Sequence, residues 1–305
     1  MKKMILSLLA IAAMTSCTTT SEDEIDPNAP VEIKLGASIL ETIARSAGDN
    51  IPEAGFDFSL YAYTDAWGAT SNGYSDITNI ATKAAKSGAI TIGDGITTYY
   101  YPTNDTEVKF YGYAPRIENP TTGDKVAPTL TWSITGTEDI TYATATSKRS
   151  TASTNVPNLN FKHLLTKLNF KVDKVNAGFP ADITLTSITI NGAKTNATLD
   201  ITTGRLTFND ITGNLSATIT GTPTIADNAE LGSIMLAPGS TSYSITVVTT
   251  SGTYDNITIS IDNSKTFDAG SQYDILLTFS PKQMSGTAEM TDWTSSGDSG
   301  KGSVE

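Results

Sequence analysis

The chain has a single histidine, His163, and a single cysteine, Cys17, so its options for side-chain chemistry are few. A thiolate can attack carbon, bind a metal or pair as a disulfide, and an imidazole can move a proton near neutral pH. One of each in 305 residues excludes a His–Cys zinc site and any disulfide within the chain. A Ser-His-Asp triad would have to use His163, which lies between Lys162 and Leu164 in a strand-like run, and there is no G-x-S-x-G elbow. His163 therefore reads as a hydrogen-bonded structural residue. Gly93-Asp94-Gly95 and the stretch 296–300 (SGDSG) are loop-like, and no helix follows either to bind phosphate. Asp255, Asp262, Asp268 and Asp274 fall at strand ends, where turn chemistry accounts for them. The net charge of −12, from 32 acidic and 20 basic residues, leaves no basic footprint for nucleic acid. These residues point to no catalytic group, no metal and no cofactor.

Cys17 does have a chemical context. Lys2 and Lys3 precede an apolar stretch, 4–14, that is too short to span a bilayer and suits a secretory signal. Met14-Thr15-Ser16-Cys17 resembles the lipobox of bacterial lipoproteins, in which the cysteine is acylated and the signal is cut before it. The expected organisation is a signal peptide over 1–16, then a lipidated Cys17 and an acidic tether over 17–30. The tether holds Glu22, Asp23, Glu24 and Asp26 among Thr, Ser and Pro, with almost nothing to bury. An acidic patch just after the cysteine resembles the surface-export signal of Bacteroidetes lipoproteins, which implies a surface-exposed place on the cell outer membrane.

The elements behind these residues are strands. Val31, Ile33, Leu35, Ala37 and Ile39 alternate with Glu32, Lys34, Gly36 and Ser38. Val108 and Phe110 alternate with Lys109 and Tyr111, and Leu168, Phe170 and Val172 with Asn169, Lys171 and Asp173. Ile257, Ile259 and Ile261 make a further strand, and Tyr273, Ile275, Leu277 and Phe279 the last long one. A period of two means one apolar face per strand. Leu199 and Ile201 face Leu206 and Phe208 across 202–205, a hairpin with Gly204 in its turn. The apolar parity flips between Leu185 and Ile188, which predicts a bulge near Thr186 and Ser187. One short helix is expected, over 76–86, where Ile77, Ile80, Ala81 and Ala84 fall at helical spacing. The fold class is all-β, antiparallel sandwiches with little helix. A length of 305 residues suits about two domains. The polar stretch 147–158 places their boundary, giving 31–155 and 156–305. Phe170, Val172, Ile275 and Leu277 are expected on the inner faces of the second.

The order and spacing of several segments resemble the fimbrillin-like proteins of Bacteroidetes, the subunits of type V pili. They include the lipobox, the strand 31–39 followed by Ala44-Arg45-Ser46, and 108–115 (VKFYGYAP). Further along come 139–143 (DITYA), 161–168 (FKHLLTKL), 235–238 (MLAP), 267–273 (FDAGSQY) and Thr291-Asp292-Trp293. The resemblance implies two transthyretin-like sandwiches in tandem, lipoprotein export and assembly into a homo- or hetero-polymer with other fimbrillin-like subunits by exchange of a β-strand. It also implies an arginine-specific protease acting at Arg45–Ser46, and Arg45 is the only basic residue between Lys34 and Lys83. The exchanged strand would carry Val31, Ile33, Leu35, Ala37 and Ile39, and an anchor subunit would keep it uncut. The donor would come from 285–293, where Ala288 and Met290 share a face and Trp293 falls on the other; folding back as an ordinary edge strand is the alternative. The implied role is cell adhesion within a fimbria, with a host or bacterial surface glycan or protein as a further partner. A different reading rests on Tyr99, Tyr100 and Tyr101 with Trp67 and Trp132 as a stacking platform, which would make the chain a glycan-binding surface lipoprotein that does not polymerise.

The lipobox reading has a direct check. Cys17→Ala is expected to abolish acyl labelling of the precursor and its recovery with membranes; labelling that persists would show that the lipid is elsewhere.

Overall fold

The computed structural model describes residues 29–40, 51–64, 77–120, 127–152, 154–261, 265–281 and 284–291, and the structural statements that follow concern these. In the first half the strands are β1 (Gly36–Leu40), β2 (Phe56–Tyr63), β3 (Ile80–Ala84), β4 (Ile90–Ile92) and β5 (Val108–Ala114). β6 (Thr129–Ser133) and β7 (Thr141–Ser147) follow, then the four-residue helix α1 (Arg149–Ala152) and β8 (Asn158–His163). Seven of these strands form one sheet in the order β1-β8-β7-β5-β2-β3-β4. Their alternation gives the sheet one apolar face, on which Phe58, Leu60, Phe110, Leu159 and Phe161 are buried. A bridge between Gly36 and Ala89 draws the two ends of the sheet toward each other, so it curls round this core.

The second half contributes β9 (Thr166–Val175), β10 (Leu185–Lys194), β11 (Asn196–Asp200), β12 (Arg205–Phe208) and β13 (Thr212–Ser216). β14 (Glu230–Leu236), β15 (Ser242–Thr249), β16 (Gly252–Ser260), β17 (Gln272–Phe279) and β18 (Met284–Thr291) complete it. Two four-stranded sheets, β13-β10-β15-β16 and β14-β9-β17-β18, face each other as a sandwich. Phe170, Val172, Ile275 and Leu277 are fully buried between them, as the alternation requires. The bulge is where the parity flip puts it: the β10–β15 register shifts between Leu185 and Ser187, so Leu185 and Ile188 both reach the core.

A three-stranded sheet, β12-β11-β6, joins the halves, because β6 comes from the first and β11 and β12 from the second. It covers the outer face of β5, where Tyr113 meets Trp132 with ring centroids 5.9 Å apart. Both faces of β5 are therefore buried, Phe110 in one core and Tyr113 in the other. The polar stretch read as a boundary joins β7 to β8 within the seven-stranded sheet. It is fastened by Asp105, whose carboxylate accepts from the Ser150 N–H at 2.8 Å and the Ser150 hydroxyl at 2.9 Å. The chain leaves this sheet at Leu164 and Leu165 to begin β9.

Two expectations are corrected. The helix over 76–86 is absent from the described part of that stretch, which contains β3 instead. Thr82 and Ala84 are buried and Ala81 and Lys83 exposed, a period of two. Small alanines satisfy either periodicity, and pairing with β2 and β4 decides the outcome. Asn79, at a left-handed φ of 51°, also stops a helix from starting, and its side chain is tied to the Ile117 and Glu118 carbonyls. The sheets are also not purely antiparallel, because β1 lies parallel to β8 and β17 parallel to β9. Alternation fixes which face is apolar and carries no information on strand direction.

The hairpin of β11 and β12 sets Leu199 opposite Leu206, and its turn residue Gly204 has a φ of 72°. A Cβ there would overlap the Tyr142 ring, whose hydroxyl donates to the Ile201 carbonyl at 2.6 Å. Gly204→Ala is expected to cost about 1–3 kcal/mol, read from the denaturant midpoint, through this overlap and the left-handed backbone.

Candidate functional site

The segment 31–40 is where the sequence signal for function and the fold coincide. Ile33, Leu35, Ala37 and Ile39 are 0–7% exposed in the first core, with Val31 half-buried beside them. They fill the space over Phe58, Leu60, Phe110 and Phe161. Phe161 packs edge-on against Phe56 and Phe58 at 5.0 and 4.9 Å, and Gly112 leaves room for its ring tip. The backbone of β1 runs at the edge of the sheet, in register with β8 from Gly36–Asn158 to Leu40–Lys162. Thus the side chains are central to the core while the main chain is peripheral to the sheet.

The other face of β1 holds a contact that alternation does not suggest. Ser38 is 1% exposed. Its hydroxyl donates to Asn160 Oδ1 at 2.7 Å and accepts from Asn158 Nδ2 at 3.1 Å. The i, i+2 spacing of Asn158 and Asn160 was the available signal, since it puts two amides on one face of a strand. Upstream of β1, Glu32 bridges Tyr100. Tyr101 is buried, which pushes its phenol above the usual range, and its N–H donates to the Val31 carbonyl at 2.9 Å.

At the other end of the chain β18 pairs antiparallel with β17, Ala288 opposite Ile275. Ala288 is 1% exposed and Met290 52% exposed. Cys17, Arg45, Ser46, Trp67 and Trp293 lie outside the described residues.

The remaining candidates have structural settings. His163 Nδ1 lies 2.7 Å from Asp139 Oδ1, with the His side chain 4% exposed, and ties the end of β8 to the segment before β7. Asp255 accepts from the Thr246 hydroxyl, Asp268 from that of Thr266, and Asp274 pairs with Lys171 at 2.9 Å. Among the described residues no group of three or more His, Cys, Asp or Glu is placed to hold a metal ion. Trp132 is buried in one core and Tyr101 in the other, whereas Tyr100 is exposed, so these three form no shared stacking face.

The arrangement seats an extended strand by its edge and by its apolar side chains. A family model described as fimbrillin-like matches residues 44–293. Among solved structures, a candidate cell adhesion protein from Bacteroides ovatus superposes with a TM-score of 0.67 at 19% identity, covering 88% of this chain and 100% of that one. Another from Bacteroides uniformis gives 0.63 at 20% identity, covering 87% and 98%. At these identities the similarity concerns the fold. No curated protein matches the sequence.

The seating of the first strand predicts its energetic weight. Leu35→Ala is expected to destabilise the chain by about 2–5 kcal/mol, measured by denaturant unfolding, because the vacated space lies under packed aromatic rings.

Proposed function

This chain belongs to the fimbrillin-like family, and we propose that it is a structural subunit of a cell-surface fimbria that polymerises by exchanging its first strand. The family is one of fimbrial subunits, so the role is mechanical and adhesive. The reading includes export as a lipoprotein through Cys17 to the outer membrane, then cutting at Arg45–Ser46 by an arginine-specific protease. Residues 31–45 would then be held by non-covalent contacts alone, and a strand from another subunit could take their place. In the polymer such subunits would support attachment to glycans or proteins of other cells.

The observation that carries this reading is the seating of segment 31–40. An edge strand can leave without unthreading the sheet, and what it leaves behind is an open row of N–H and C=O groups over an apolar floor. Refilling the places of Ile33, Leu35 and Ile39 is worth roughly 1.5–3 kcal/mol per side chain, in addition to the restored ladder. Segment 285–293 is the expected donor; to serve, β18 would have to part from β17 and withdraw Ala288 from the second core.

Treatment with an arginine-specific protease is expected to convert monomer into ladders that resist SDS, and Arg45→Ala to block the conversion. An Arg45→Ala protein that assembles like the unchanged one would contradict proteolytic release of the strand.

A further inference from the structure

The first strand is held differently on its two sides. Against β8 it makes five consecutive register pairs. Toward β4 it is fastened at two separate points. At one, the Ile33 N–H donates to the Tyr99 carbonyl at 2.7 Å and the Tyr101 N–H to the Val31 carbonyl at 2.9 Å. At the other, Gly36 bridges Ala89 and the Ala37 N–H donates to the Gly88 carbonyl at 2.8 Å. The Gly36–Ala89 bridge is antiparallel. Continued, its register would set Leu35 opposite Ile90 and Ile33 opposite Ile92. Beyond the bridge, where the Ile90 N–H faces the Leu35 carbonyl, the two chains part, and among the described residues no backbone hydrogen bond joins Ile33 or Lys34 to Thr91 or Ile92.

A cleft of about 350 Å³ opens there, with Ile33, Lys34 and Leu35 on one wall and Ile90, Thr91 and Ile92 on the other. Its backbone edge can be read from the neighbouring bonds. The Ala85 N–H donates to Ala89 and the Gly93 N–H to Ala81, so odd-numbered positions around β4 bond toward β3. Ile90 and Ile92 therefore direct their N–H and C=O groups away from β3; the Ile90 N–H faces Leu35 at the end of the bridge, and Ile92 opens into the cleft. Their side chains are half-buried, and the lining residues Thr97 and Thr98 are exposed. An occupant must offer an extended backbone and apolar side chains at alternate positions. This chain contains such a segment in 31–39, and the cleft has room for only part of one.

We propose that the cleft is a toehold for an incoming strand from a second copy of this chain. The invader pairs first with the open edge of β4 and then displaces β1 from β8 one residue at a time. The inference rests on the strand-exchange reading above and adds its route. If β1 left first, Ile33, Leu35, Ala37 and Ile39 would be exposed to water together and the ladder stripped at once. Entry through the cleft replaces each contact as it is lost, so exchange proceeds without an empty groove.

The test uses the full chain cut after Arg45, with its first strand still seated, and a fluorescent peptide of residues 31–40. With a toehold, the rate of peptide uptake rises in proportion to peptide concentration. Ile92→Pro removes one donor from the cleft without touching a bond to β3, and is expected to lower that slope by about tenfold, the order expected for one lost hydrogen bond. Thr97→Lys puts a charged side chain at an exposed position that lines the cleft and is expected to lower the slope with an unchanged melting temperature, which separates the cleft from a folding defect. A rate independent of peptide concentration, or slopes unchanged in both variants, overturns the toehold and leaves strand exchange standing. No uptake at any concentration overturns the toehold for a strand 31–40 of a second copy and leaves exchange with segment 285–293 as donor standing.

Discussion

The first strand is paired continuously on one side only, with β8, and is fastened at isolated points on the other, yet it also completes a core. β1 and the residues before it supply Ile33, Leu35, Ala37 and Ile39 to a cluster that includes Phe58, Leu60, Phe110 and Phe161. The two facts pull in opposite directions. Burial makes the strand costly to lose, whereas its edge position makes it topologically free to go. Any account of function must explain why so much apolar burial is placed on a segment that can be withdrawn without disturbing the path of the others.

The strand that receives β1 belongs to both halves of the molecule. β8 passes through Leu164 and the fully buried Leu165 directly into β9, which lies parallel to β17 at the centre of the second sandwich. β6 and β11 pair across the halves, and the Met235 N–H donates to the Gly136 carbonyl at 2.8 Å. A force applied to whatever lies beside β8 is thus passed along one covalent strand into the second core. That continuity suits a subunit whose work is to hold.

Much of this was legible in the sequence, for local reasons. One-sided alternation marked β1, β5, β9 and β17, since a pleated strand has no other way to present an apolar face. The parity flip at Leu185 and Ile188 marked a bulge because both side chains must reach the core. What escaped notice depended on partners far away in sequence. Ile80, Ala81 and Ala84 fit a helix until β2 and β4 claim the backbone. The burial of Tyr113 and Ser38 depends on what covers the second face of each strand, and the parallel pairing of β1 with β8 on the return of the chain 122 residues later. Of the site, the first strand was visible as a pattern, whereas the break in pairing beside it belongs to the tertiary structure alone.

The central claim is that the first strand is a separable part of the folded subunit. Its most direct test is the mass of the subunit chain recovered from intact fimbriae after washing in denaturant. The account predicts a chain that begins at Ser46 and lacks residues 31–45. A recovered chain that still carries Val31 to Ile39 would contradict it.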